Sequence, residues 1–238
     1  MQEWSISTAS AQTLSFSEYN HSLVSISSFL QQPDCAIENA VLQKFAAITP
    51  QYPGLRAALD SEIADHWLDT LSPLLSRAFD APEGRWSMVA WHSIVSHRPQ
   101  DLLPIQRLPH VDGTDPDQVA MMLYLHRTGH GGTAFFRHKS TGLEALTEEN
   151  FPRYRVALER EVRETGLPPA AYVTDGAPLF ERTYASAGEF NHAIFYRGNI
   201  LHSGVIDNHA PLSRDPREGR YTINAFLRPP GGEGPNDE

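Results

Sequence analysis

Residues 118–126 read Gln-Val-Ala-Met-Met-Leu-Tyr-Leu-His, and RTGHGG at 127–132 and TAFFR at 133–137 follow. The first run is apolar almost throughout, and so short a stretch bounded by turn signals predicts a buried strand. Three glycines within residues 129–132 supply the turn, because glycine enters backbone conformations closed to other residues. TAFFR then reads as the returning strand. This pair predicts that the second half of the chain is built from antiparallel β-structure.

The same pattern extends outward. Residues 85–96 are rich in Trp, Val, Met and Ile with short alternation, and residues 188–195, 199–206 and 221–227 give three further strand candidates. Upstream the pattern is mixed. SLVSISSF at 22–29 alternates apolar and polar residues, which predicts a half-buried strand. Gln32-Pro33-Asp34 breaks it, and Asp34 is placed to cap a helix over 36–47. Residues 54–79 carry Leu55, Leu59, Ile63, Trp67, Leu71, Leu74 and Leu75 at helical spacing, predicting the longest helix, with an interruption near Ser72-Pro73. Residues 1–15 read as a loose arm or edge strand. Residues 143–165 are charged and helix-like, an excursion outside the β core that could serve as a lid. The expected architecture is α+β: one domain over 1–228, with a helical part at 30–80 packed on one face of a sandwich or jelly-roll core at 85–228. The Pro/Gly/acidic tail at 229–238 is expected to be disordered.

Bulk composition narrows the function classes. The chain has 238 residues, 40% hydrophobic and 20% charged, an ordinary globular balance. A formal net charge of −10 argues against general attraction to nucleic acid or an anionic membrane. No run of about 18 apolar residues predicts a membrane span, and the N-terminus lacks a signal-peptide pattern. Cys35 is the single cysteine, so no internal disulfide forms; a cytoplasmic location is expected.

The candidate chemistry lies in His110-Val111-Asp112, His202 and Arg220-Tyr221-Thr222. In an extended segment residues two apart share a face, so one strand end would present His110 and Asp112 together. Gly113 would free the backbone to turn straight after them. His202, within the apolar NILHSGVI, would be brought across by a second strand. Two imidazoles and one carboxylate are the ligand set of a mononuclear non-haem Fe(II) site with open positions. Any single histidine among the eleven is more simply a hydrogen-bonded structural residue; the combination carries the inference. Arg220 and Thr222 share a predicted strand face, and a guanidinium with a neighbouring hydroxyl suits the distal carboxylate of 2-oxoglutarate. Arg214, Arg217 and Arg228 compete for that role. Tyr124 could add a phenol hydrogen bond to the same carboxylate or be a buried tyrosine bonded to backbone, and Asn224 could line the pocket or bridge core groups.

These pieces occur as LPHVD at 108–112, MMLYL at 121–125, GGTAFF at 131–136, YRGNILHSG at 196–204 and RYTINAF at 220–226. In that order they resemble the 2-oxoglutarate/Fe(II)-dependent dioxygenase superfamily, particularly its prolyl-hydroxylase-like branch. With SLVSISSFLQQPD at 22–34, YPGLRA at 52–57 and LLPIQRLPH at 102–110, the chain is similar to a bacterial group of unassigned function within it. The resemblance implies a double-stranded β-helix (jelly-roll) core. It implies Fe(II) held by His110, Asp112 and His202, with 2-oxoglutarate anchored by Arg220. The implied reaction takes O2 and a small-molecule or peptidyl substrate and hydroxylates a C–H bond, with release of succinate and CO2. An intact carboxylate at 112 sets the chain apart from the halogenase variant. The eighteen positions from His202 to Arg220 exceed the family's usual spacing and imply a lengthened hairpin. Two rival readings remain: a cupin-like protein using another divalent ion for binding or hydrolysis, and a non-catalytic sensor or interaction module.

Overall fold

The computed structural model describes residues 2–127 and 129–232. Its strands and helices, in chain order, are β1 (Gln12–Phe16), β2 (His21–Ser27), α1 (Pro33–Val41), β3 (Gly54–Ala58), α2 (Ser61–Ala78), β4 (Ser87–Val95), β5 (Val119–Tyr124), β6 (Thr133–His138), α3 (Phe151–Thr165), β7 (Gly176–Ala177), β8 (Phe180–Ala185), β9 (His192–Arg197), β10 (His202–Gly204) and β11 (Arg220–Arg228). The strands form a seven-stranded sheet, ordered β1-β2-β9-β5-β11-β4-β3, and a four-stranded sheet, ordered β10-β6-β8-β7. All pairings in both are antiparallel. The class is therefore α+β, as the patterning predicts.

Alternation along the strands sets the layers. Tyr221, Ile223, Ala225 and Leu227 of β11, with Val119, Met121 and Leu123 of β5, bury against Trp67, Leu71 and Leu75 of α2 and Ile37 of α1. The intervening residues point the other way. Ala120, Tyr124, Ile194 and Tyr196 of the large sheet meet Phe135 of the small one. On the far side, Tyr154 of α3 packs with Phe136 and Phe180. Four layers result: two helices, the large sheet, the small sheet, one helix. Phe135 is fully buried and rings of Phe16, Tyr184, Tyr196 and His202 surround it. Burying one such side chain stabilises by about 1.5–3 kcal/mol, so Phe135 is a principal tie between the sheets.

Several expectations need correction. The helix expected over 54–79 begins only at Ser61. Asp60 caps it, accepting a hydrogen bond from the Glu62 N–H at 2.9 Å, and residues 54–58 pair with β4 instead. Pro73 lies inside α2 without ending it. The first helix starts at Pro33 and stops at Val41, not 47. Asp34 does not cap it; its carboxylate pairs with Arg127 at 2.8 Å. The N-terminal segment is no loose arm: Trp4 is buried, its carbonyl accepts from Trp67 Nε1 at 2.8 Å, and β1 is an edge strand. Within 143–165 only Phe151–Thr165 is helical. Strands β3, β7 and β8 fall where no strand was expected. Of the tail, Pro229–Gly232 is described and ends in a turn; the disorder expected for 233–238 concerns residues outside the described ones. No described helix is long and apolar enough to cross a membrane.

His92, on the helix-facing side of β4, is buried and hydrogen-bonded to Tyr221 Oη at 2.7 Å. Burial lowers its imidazole to about 4. The unfolded chain then binds a proton that the folded chain refuses. This group's contribution is complete above the ordinary value near 6.5 and is lost as pH falls through the window down to about 4, a loss of about 3 kcal/mol. Urea unfolding between about pH 7 and pH 4.5 should show a decline that includes this one, and His92→Gln, which cannot titrate, should make it shallower by about that amount.

Candidate metal centre

Two backbone hydrogen bonds build the site. His110 N donates to His202 O at 2.9 Å and His202 N donates to His110 O at 2.8 Å, an isolated antiparallel bridge at the start of β10. Directly paired residues present their side chains on one face, and the two rings lie 4.5 Å apart between centroids. Beyond this bridge residues 108–112 are not a strand. Asp112 is delivered by a separate tether, its N–H donating to Gly198 O at 2.8 Å. A Cβ on Gly198 would sit 3.3 Å from Asp112 Cβ, so the glycine in YRGN lets the carboxylate close in. Gly113 has no such role: it takes no positive φ, and a Cβ there would meet open space.

Asp112 Oδ2 lies 3.4 Å from His202 Nε2, and Oδ1 lies 3.9 Å from His110 Nε2. One ligand atom from each of the three residues falls within 4.8 Å of the others. Among the described residues no other His/Cys/Asp/Glu group converges in this way. The donor set fits a divalent cation. His202 Nδ1 lies 2.8 Å from Ile200 O, so it carries the proton and Nε2 presents a lone pair toward Asp112. Burial lowers the His202 imidazole to about 4, opposed by the Ile200 hydrogen bond. Burial, then the neighbouring His202, lower His110 as well. Half of the His110 side chain reaches solvent, which screens the effect there. Burial raises the Asp112 carboxyl, against His110 and Arg56, which lower it.

Arg220 is 2% exposed. Its Nη2 donates to the carbonyls of Gly132 at 3.0 Å and Gly131 at 3.3 Å, while Nε has no hydrogen-bond partner. No carboxylate among the described residues pairs with it. Burial lowers its pKa, opposed by Tyr124, Tyr52, Tyr172 and Tyr196. Gly132 makes the carbonyl contact possible, since a Cβ there would stand 2.2 Å from Ser186 Oγ. The competing arginines separate on partners: Arg217 pairs with Glu38, and Arg228 with Asp115 and Gln118. Thr222 shares the inner face with Arg220, but its hydroxyl lies 2.7 Å from Asn224 Oδ1. The Tyr124 hydroxyl is engaged by Thr133 Oγ1 at 2.8 Å and Ser186 Oγ at 3.1 Å. Both shape the Arg220 surroundings, and neither presents a free hydroxyl.

Residues missed in the sequence complete this face. Arg56 of β3 lies in a row with Ser93 of β4 and Thr222 of β11. Its guanidinium stands 4.3 Å from the Tyr52 ring centroid and 5.6 Å from that of Trp91. Reading 54–59 as helix hid it; the alternation of Leu55, Ala57 and Leu59 ahead of Asp60 was the available signal. A groove of about 750 Å³ runs between α2 and residues 80–85 and does not include the three candidate ligands.

An antiparallel two-sheet fold with a convergent, partly exposed His–Asp–His cluster defines a candidate metalloprotein. The chain belongs to the family described as "Family of unknown function (DUF6445)", whose model matches residues 7–227. No curated protein matches it. Among solved structures it is similar to a prolyl-4-hydroxylase from Pseudomonas putida, with TM-score 0.44 and 13% identity over 90% of this chain and 95% of that one. It is also similar to HygX from Streptomyces hygroscopicus, solved with nickel and 2-oxoglutarate bound, with TM-score 0.46 and 12% identity over 89% and 84% of the two chains. A third is SnoN, a non-heme alpha-ketoglutarate-dependent epimerase from nogalamycin biosynthesis, with TM-score 0.45 and 14% identity over 91% and 88%.

Metal-stripped protein titrated calorimetrically with Co(II) should bind one equivalent. Losing a group that merely orients a ligand typically costs about 10–100-fold in affinity, so Asp112→Ala and His202→Ala should each weaken binding by at least about a hundredfold.

Proposed function

We propose that this protein is an Fe(II)/2-oxoglutarate-dependent oxygenase that hydroxylates a C–H bond of a small-molecule or peptidyl substrate. On this reading the two sheets are the double-stranded β-helix of the prolyl-hydroxylase-like branch. His110, Asp112 and His202 would hold the ferrous ion, leaving the remaining positions open. Bound there, iron would couple O2 reduction and decarboxylation of 2-oxoglutarate, to succinate and CO2, with oxidation of the substrate. The observation that carries the proposal is a conjunction: three convergent candidate ligands and, between the same two sheets, a buried guanidinium with no acidic partner among the described residues. A buried cation is costly unless an anion compensates it. The distal carboxylate of 2-oxoglutarate is such an anion, and it can accept two parallel N–H bonds from the guanidinium fork.

The chain's own groups then have defined tasks. The Ile200 carbonyl fixes the His202 tautomer and ring orientation. The glycine carbonyls hold Arg220 without neutralising it. Tyr124, Thr133 and Ser186 form a closed hydroxyl cluster behind Gly132, keeping that carbonyl in place. Tyr196 and Phe135 pack on His202 at ring distances of 4.9 and 6.4 Å and exclude water from the inner side.

Anaerobic addition of Fe(II) and 2-oxoglutarate should produce a weak visible charge-transfer band in the wild type and none in Asp112→Ala. Arg220→Gln should keep metal binding but raise the 2-oxoglutarate concentration for half-saturation about tenfold to a hundredfold. Metal binding without any effect of 2-oxoglutarate would instead favour a cupin-like divalent-metal protein.

A further inference from the structure

A second cation faces the interior at the open end of the site. Arg56 pairs across the sheet with Ser93, and Ser93 with Thr222, so its side chain points toward the small sheet, as Thr222 does. Its charge is felt at His110 and Asp112. No described acidic residue pairs with it, and its Nε is buried without a hydrogen-bond partner. Two hydroxyls stand beside it: Ser93 Oγ and Tyr52 Oη adjoin each other, and both are buried. Tyr52 also feels the charge of both Arg56 and Arg220. Buried polar atoms are nearly always partnered, so a guanidinium nitrogen buried without one, beside two hydroxyls that have at most each other, asks for a further partner. A guanidinium N–H can only donate, so the partner must be an acceptor, and either hydroxyl can donate to it as well. One positive charge with two neutral hydroxyls matches a singly charged carboxylate better than a dianionic phosphate.

Position separates this group from Arg220. Arg220 is 2% exposed and sits deep. Arg56 is partly exposed, on edge strand β3, and acts on His110, the ligand whose side chain is half open. A molecule entering at that end meets Arg56 first, on a surface walled by Tyr52 and Trp91.

We propose that Arg56, with Tyr52 and Ser93, determines substrate specificity, and that the substrate is a small carboxylic acid whose carboxylate docks there. This rests on the oxygenase reading for its chemistry but not for its binding.

The test is a thermal-shift and calorimetric panel of monocarboxylic acids, their primary amides and phosphate monoesters. It is run on protein saturated with Ni(II) and 2-oxoglutarate, and again on metal-free protein without 2-oxoglutarate. Acids should stabilise the protein and their amides should not. Arg56→Gln should weaken acid binding at least about tenfold while changing 2-oxoglutarate affinity by less than about twofold. Should Arg56→Gln fail to fold, Tyr52→Phe and Ser93→Ala serve instead, each expected to weaken acid binding about two- to fivefold. Equal binding of amides, preference for phosphate monoesters, no binding by any compound, or loss of 2-oxoglutarate affinity in Arg56→Gln would each overturn the proposal. Failure of the oxygenase reading is a different result: no metal-dependent 2-oxoglutarate binding by the wild type, with the acid preference of the metal-free protein intact.

Discussion

The reciprocal pair of hydrogen bonds between the backbones of His110 and His202 is the constraint from which the site follows. It joins a loop to the last short strand of the small sheet and forces two imidazoles onto one face. Either segment alone is weakly held: β10 has three residues, and 110–112 is not a strand. Each depends on the packing behind it. Phe135, directly opposite His202 across β6, transmits that packing from the interior between the sheets. Core and site are thus one mechanical unit, and damage to the Phe135 contacts reaches the ligands through a single register.

Burial in this interior acts on electrostatics as much as on packing. The large sheet presents its even-numbered β11 residues inward, and these include two arginines, a threonine and an asparagine. Arg228 finds Asp115 and Gln118; Thr222 finds Asn224. Arg220 and Arg56 find no acid among the described residues. Partnered and unpartnered polar groups on the same face divide it into a closed, structural end and an end where, on the proposed reading, ligands supply the missing charge.

Much of this was legible beforehand where one physical rule dominates. The QVAMMLYLH and TAFFR runs carry a β signal strong enough to read alone, and β4, β9 and β11 follow the same rule. The three convergent residues were legible because their types, rather than their spacing, were distinctive. Failures came where two rules competed. Leu55, Leu59 and Ile63 satisfy a helical period, but Leu55, Ala57 and Leu59 satisfy an alternating one. Cross-strand pairing with β4 decided for the strand. Since Arg56 belongs to that stretch, the helical period concealed its inward-facing position as well. Strand β8 was missed because its FERTYA sequence, half-exposed for most of its length, gives little burial contrast. The detail that Asp112 hangs from Gly198 rather than from a strand depends on a contact eighty-six positions away in sequence, which no local pattern encodes.

Holding Arg220 with peptide carbonyls instead of a carboxylate leaves its charge uncancelled inside a chain whose formal net charge is −10. On the proposed reading an incoming acid therefore crosses two regimes. Far from the surface it is repelled by the acidic exterior; within reach of the interior it is attracted. Dissolved salt screens only the outer field over about 8–10 Å. Added ionic strength should thus quicken the arrival of an acidic ligand, opposite to the usual behaviour of an oppositely charged encounter.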